Sequence, residues 1–232
     1  MKKVLTFLRQ LERNNNREWF MAHKEEYVAA QARWNAFSEE LIERIGEFDP
    51  TVRGLTAKDC TYRIYRDVRF SKDKSPYKNH MGVYVCRGGK KSGFSGYYFQ
   101  ICASKGEQEF DGHCMAAGDY MCLPSVLQVL REDIENETDD FRHHLDLAAT
   151  AGFHLYDTWK LKRVPRGFNP DSPCADLLKY KVYGLMTSVD DEFVLAPDLA
   201  RRVADSFRTT HPFLNFVNCA IEYVQEEMRN VK

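Results

Sequence analysis

The sequence predicts an α+β fold: an antiparallel sheet of about four to six strands with helices packed against it, a long N-terminal helix and a C-terminal helix pair. Three observations carry this. Apolar residues recur at three- and four-residue steps near both ends of the chain, short β-branched and aromatic runs separated by glycines fill the middle, and no low-complexity linker divides the 232 residues. A chain that is 44% hydrophobic and 13% aromatic can bury a full core, so residues 1–232 are read as a single domain.

Val4, Leu5, Leu8 and Leu11 mark a short amphipathic helix, and Asn14-Asn15-Asn16 supply a break and a cap. From Arg17 onward Phe20, Tyr27, Ala30, Trp34, Phe37, Leu41 and Ile45 form one stripe, predicting a long helix that ends near Gly46 and Asp49-Pro50. Helix burial by itself demands such an aromatic stripe, so Trp19 and Trp34 are assigned to the core. Residues 62–70 alternate as a strand, residues 81–86 and 97–103 form a hairpin across the glycine- and lysine-rich 87–96, and residues 107–114 add a further strand. Pro124 opens a helix carrying Val126, Leu127, Leu130 and Ile134, Thr138 caps another, and Gly152 stops it. Residues 155–164 return to the sheet, Asp171 or Ser172 caps a short helix holding Leu177 and Leu178, and residues 182–189 form the last strand. Residues 197–207 and 210–228 are the two closing helices.

The net charge of −1 hides an asymmetry: residues 58–91 carry ten Lys/Arg against three Asp/Glu, and residues 160–181 carry six against two Asp. A focused basic patch fits a local anion site better than a polyanion coat, which calls for a basic chain throughout. Within residues 62–78, extended backbone places Arg63, Tyr65, Asp67 and Arg69 on one face, while Arg66 interrupts the apolar face of Tyr62, Ile64, Val68 and Phe70. A guanidinium among apolar groups requires a carboxylate, phosphate or carbonyl partner. The Ser-Pro step that follows predicts a loop carrying Lys72, Asp73, Lys74, Tyr77 and Lys78 off the strand end. One reading of Arg63, Arg66 and Arg69 is a forked clamp on an anion; the other is a structural ion-pair network with Asp67 and Asp73. Two acids cannot neutralise six cations, which favours the clamp.

The run Arg63-x-x-Arg66-Asp67-x-Arg69-Phe70, followed by Lys72-Asp73-Lys74-Ser75-Pro76-Tyr77-Lys78, resembles the signature of a bacterial family, domain of unknown function 2461. The likeness extends to Asn14-Asn15-Asn16-Arg17-Glu18-Trp19-Phe20, Gly96-Tyr97-Tyr98, Pro165-Arg166-Gly167-Phe168 and Leu177-Leu178-Lys179, and so covers nearly the whole chain. Departures stand at Ala117, where the family often has a second glycine, and at Ser172, where it often has histidine. The second basic block, with Lys162, Arg163, Arg166 and Lys179, reads from its residues equally well as solvated charge; the resemblance places it among the candidate site residues. The resemblance names no reaction.

The expected function is therefore binding of a phosphate-bearing or other anionic ligand, either a small molecule or a nucleic-acid backbone. The alternatives are an enzyme acting on such a ligand, with Asp67, Asp73 or a tyrosine carrying a proton, and an interaction module docking an acidic partner. No nucleophile motif or nucleotide fingerprint is present, and His113-Cys114 and His143-His144 lack metal-ligand spacing, so neither metal nor cofactor is expected. Seven cysteines without a C-x-x-C pair, short apolar runs and an early-charged N-terminus predict a cytoplasmic protein with no membrane association.

Overall fold

Burial at helical spacing builds the first elements of the computed structural model, which describes residues 1–104 and 111–230. Val4, Leu5, Phe7, Leu8 and Leu11 all point inward from α1 (Lys2–Arg13). The long helix expected from Arg17 is two helices, α2 (Arg17–Ala22) and α3 (Lys24–Ile45), broken at His23. The His23 ring stacks on Trp19 and its Nδ1 lies 2.8 Å from the Trp19 carbonyl oxygen, a local bond that competes with the helical ladder. Trp19 is accordingly only partly buried, whereas Trp34 is core. Asn16 caps α2 by accepting the Trp19 N–H at 2.9 Å.

A short helix, α4 (Ala57–Cys60), is held by a capping box between Thr56 and Asp59. The sheet contains β1 (His80–Cys86), β2 (Gly96–Cys102), β3 (Cys114–Asp119), β4 (His154–Leu155) and β5 (Tyr183–Ser188), antiparallel in the order β1-β2-β3-β5-β4. Of the strand expected over 107–114, residues 107–110 lie outside the described residues, and β3 starts at Cys114. The expected return over 155–164 shrinks to the two-residue β4, which pairs His154 with Met186 and Leu155 with Leu185. Helices α5 (Pro124–Asn136) and α6 (Thr138–Ala149) follow the expected spans; Thr138 opens α6 rather than capping it, its hydroxyl donating to the Ile134 carbonyl at 2.7 Å. Leu177–Lys179 is a single 3-10 turn, and α7 (Asp191–Leu195) is capped by Asp190.

The expected C-terminal pair is one helix, α8 (Leu199–Asn230), with Pro212 inside it. Proline deletes a helical hydrogen bond and costs about 3 kcal/mol. The apolar stripe nevertheless continues unbroken through it, burying Val203, Phe207, Phe213, Val217 and Val224, and each such side chain contributes about 2 kcal/mol. Continuity of the stripe wins over the proline penalty.

The backbone gathers into two compact units: residues 1–90, 98–115 and 188–205 in the first, and 91–97, 116–187 and 206–232 in the second. In the first, α1 packs on α3, and Trp34 and Phe37 meet Phe99 of β2 at ring separations of 6.2 and 5.5 Å. In the second, Phe141 meets Tyr183 edge-on at 6.0 Å and Phe213 at 5.7 Å. Its buried Arg131 donates from Nε to the Leu178 carbonyl and from Nη2 to the Tyr180 carbonyl, both at 2.9 Å, so backbone oxygens satisfy the guanidinium. Among the described residues no helix is long and apolar enough to cross a membrane, and all seven cysteines are free.

Gly118 on β3 has φ +121°, and an added Cβ would fall 2.4 Å from the Tyr183 carbonyl oxygen and 2.9 Å from the Gly184 Cα. Both obstacles are backbone, so nothing short of shifting the strand relieves them. Gly118→Ala is expected to cost about 3 kcal/mol or more, read as a lower midpoint in urea unfolding; an unchanged midpoint would contradict the packing described.

Candidate functional site

The motif at residues 62–78 is not a strand. Isolated bridges replace a ladder: Thr61, just before it, pairs with Val83, and Tyr65 pairs with Tyr77 within it. Two backbone bonds close it into an irregular hairpin: the Arg66 N–H donates to the Pro76 carbonyl at 3.0 Å and the Lys78 N–H to the Ile64 carbonyl at 2.8 Å. Short acidic side chains explain the departure from the ladder. Asp67 Oδ1 accepts the Arg69 N–H at 3.3 Å, and Asp73 Oδ1 accepts both the N–H and the hydroxyl of Ser75, at 2.9 and 2.7 Å. Such Asx turns take the amides that strand pairing would need.

The three arginines divide in role. Arg66, with 26% of its side chain exposed, bonds from Nη1 to Asp73 and to the Ser75 carbonyl (3.3 Å), and from Nη2 to the Ser71 hydroxyl (3.4 Å). It binds the hairpin to itself. Arg69, 77% exposed, forks onto Asp67 through Nε at 2.9 Å and Nη2 at 2.7 Å. Arg63 is exposed and makes no side-chain hydrogen bond or ion pair among the described residues. The Ser75 bonds, followed by the Arg66 guanidinium, hold the Asp73 carboxyl far below the usual carboxylate range, and Arg69 holds Asp67 below it. Two of the three arginines are thus committed to the structural network, and neither aspartate is a ready base at neutral pH.

A pocket of about 520 Å³ opens beside this hairpin, wholly within the first unit. Its walls include Arg66, Asp73, Lys78, His80, Glu12 and Asp111, so cations and carboxylates both face it. Asn15 pins the rim as a strand would, donating from Nδ2 to the Tyr77 carbonyl at 2.9 Å and accepting the Tyr77 N–H at 3.1 Å. The Tyr77 ring is core, stacked on Phe20 at 4.0 Å. Glu12 accepts from Asn79 Nδ2 at 2.9 Å and from the Ser104 hydroxyl at 2.7 Å.

Lys78 is the distinctive group. It is partly buried, its ammonium lies 5.3 Å from the centre of the Tyr62 ring, and among the described residues no carboxylate or hydrogen-bond acceptor contacts it. Burial, and then the Arg63 charge, hold it below the ordinary lysine range. His80 sits under the same field: burial, then Lys78 and Arg66, lower it from 6.5 to about 4, so the imidazole is neutral at pH 7. Sequence reasoning missed Glu12, Asn15, Asn79 and His80. The adjacency of Asn79-His80 to the motif was the available signal for the last pair, while Asn15 reads as a helix break until its partner is known.

Among the remaining candidates, Lys72 is exposed and Lys74 Nζ donates to the Val68 carbonyl at 3.0 Å. Lys162, Arg163, Arg166 and Lys179 belong to the second unit and do not line the pocket; their side chains make no hydrogen bond or ion pair among the described residues. His113 has both ring nitrogens engaged: Nδ1 accepts the Cys102 N–H at 3.0 Å, which puts the proton on Nε2, 3.0 Å from Asp191 Oδ1. A larger cleft of about 650 Å³ lies where α3 ends, but it is lined by Glu39, Glu40, Glu43 and Glu47 with a single arginine, Arg53, whose Nε–H donates to the Gly46 carbonyl. Its charge is wrong for an anion.

Arg66→Ala is expected to release the hairpin, seen as faster tryptic cleavage at Arg63, Arg69 and Lys72 and a lower Tm; unchanged proteolysis would remove Arg66 from this role. His80 gives a pH dependence with a defined sign. Its folded-state pKa lies below the unfolded value, so the unfolded chain binds more protons as pH falls from 6.5 to about 4, and stability declines across that window by ~3 kcal/mol. Urea unfolding between pH 7 and about 4.5, above most carboxylate titration, reads this term; His80→Gln should reduce the slope, and an identical slope would refute it.

A family model described as "Conserved hypothetical protein (DUF2461)" matches residues 3–216. No curated protein and no solved structure matches the chain. The family match spans α1, the whole hairpin motif, every strand of the sheet and the first half of α8, and the chain belongs to the DUF2461 family.

Proposed function

We propose that the protein binds a phosphate-bearing anion in the pocket beside the 62–78 hairpin. The observation that carries this reading is Lys78: a cation taken partly out of water over the Tyr62 ring, within the electrostatic reach of Arg63, and with no acid paired to it among the described residues. A buried charge is stabilising only when paired. An anionic ligand supplies the missing partner, and the Arg63 charge, which acts on Lys78 from outside the pocket lining, adds to the attraction. Arg66 shapes the wall, with its charge already met by Asp73. Because Asp67 and Asp73 are locked to arginines, the reading in which either carries a proton has less support than binding. The free cysteines fit a reducing, cytoplasmic setting for this role.

Lys78→Met keeps the apolar stem and deletes the charge. Without ligand the variant is expected to be at least as stable as the wild type, because the desolvated ammonium is gone. With inorganic phosphate, nucleotides or sugar phosphates in excess, a bound anion at about a hundred times its Kd adds roughly 2.7 kcal/mol to the wild type, read by thermal shift, and little to Lys78→Met. A variant stabilised as much as the wild type by the same anion, or a wild type indifferent to every anion, would overturn the reading.

A further inference from the structure

The ligand class can be taken further, resting on the anion site just proposed. A row of side chains leads out of the pocket along the hairpin. Lys78 stands over the Tyr62 ring, Arg63 acts electrostatically on both Lys78 and Asp67, Arg69 forks onto Asp67, and the Arg69 guanidinium lies 5.9 Å from the centre of the Phe70 ring. The row therefore has an aromatic ring at each end and three cations between, of which, among the described residues, Arg69 alone forms an ion pair.

Exposure sharpens the point. Phe70 is 96% exposed and Tyr62 44% exposed, although Tyr62 is covered on one side by Lys78. Leaving a phenyl ring in water forgoes the stabilisation that burial would provide. Among the described residues the one ring partner of Phe70 is Arg69. Small phosphates would occupy Lys78 and Arg63 and leave this ring without purpose.

We propose that the hairpin binds single-stranded nucleic acid, with the backbone phosphates on Lys78, Arg63 and Arg69 and bases stacked on Tyr62 and Phe70. Aromatic faces interleaved with cations are what an unpaired strand offers contacts to, because each base presents a flat face and each linkage a charge. A duplex hides its base faces and keeps only the phosphates. An anionic membrane is the competing partner for a basic loop with an apolar tip, but it asks for several apolar side chains at that tip, and here the rings stand at the two ends of the row.

The test is fluorescence anisotropy with a short labelled thymidine oligonucleotide, its duplex with deoxyadenosine, and vesicles of phosphatidylserine and phosphatidylcholine. The wild type is expected to bind the single strand more tightly than the duplex, with affinity falling as salt rises. Phe70→Ala, at a position that packs on nothing in the core, should weaken that binding about tenfold and Phe70→Trp should restore it. Equal affinity for duplex and single strand, binding to vesicles without binding to the oligonucleotide, or full affinity in Phe70→Ala would each overturn the proposal. If the oligonucleotide fails while inorganic phosphate still protects the wild type and not Lys78→Met, the anion site stands and this extension falls. If neither ligand binds, both fall.

Discussion

Arg66 holds the hairpin together through contacts at three points of the same loop, to Asp73, the Ser75 carbonyl and the Ser71 hydroxyl, while its own N–H meets Pro76. Much around the pocket follows from this. With the loop closed, the Lys78 amide pairs with Ile64, and the ammonium is delivered to the pocket beside Tyr62 instead of trailing in solvent. Asn15 completes the closure by exchanging two bonds with the Tyr77 backbone. The network consumes positive charge as it forms: Asp73 and the buried surroundings use Arg66, and Asp67 uses Arg69. Among the described residues Lys78, which lines the pocket, and Arg63, which does not, are left without an ion-pair partner, and the proposed function rests on these two rather than on Arg66 and Arg69.

The pocket carries both signs. Glu12 and Asp111 face it along with Lys78, and His80 contributes a neutral ring. Glu12 is held by donors from Asn79 and Ser104, so its charge is partly spread into fixed dipoles. A site of this kind repels a bare, highly charged anion on one side while attracting it on the other. On the proposed anion-binding reading, the matching ligand joins a phosphate to a part that can donate hydrogen bonds, as a nucleotide unit does.

Much of the fold was legible because burial at a fixed period leaves a trace in the residues themselves. The stripes of α1, α3, α5 and α6 and the β1 and β2 runs read directly, since each element buries its own apolar face. The failures share a cause: local rules were overridden by contacts invisible in one dimension. Alternation over residues 62–70 suggests a strand, yet Asp67 and Asp73 turn the backbone on themselves. Pro212 suggests a break, yet the stripe from Val203 to Val224 keeps α8 intact. The same holds for the site. The density of arginine and lysine marks the segment, but which cation is paired depends on distances: Arg63, Arg66 and Arg69 read together as a clamp, whereas the structure bonds Arg66 to Asp73 and Arg69 to Asp67. Asn15 and Glu12, more than sixty residues from the groups they bind, left no signal near the motif.

Lys78, partly desolvated and without an acid partner among the described residues, is the group proposed to meet the anion. Its ionisation can be followed directly by NMR of a sample carrying carbon-13 at the lysine ε position, with Lys78→Met assigning the resonance. The account predicts a pKa below that of the other lysines in the free protein, because burial and Arg63 disfavour the charged form, and a rise on saturation with phosphate, because a bound anion favours it. An ordinary lysine value that no phosphate compound moves would contradict the account at its base.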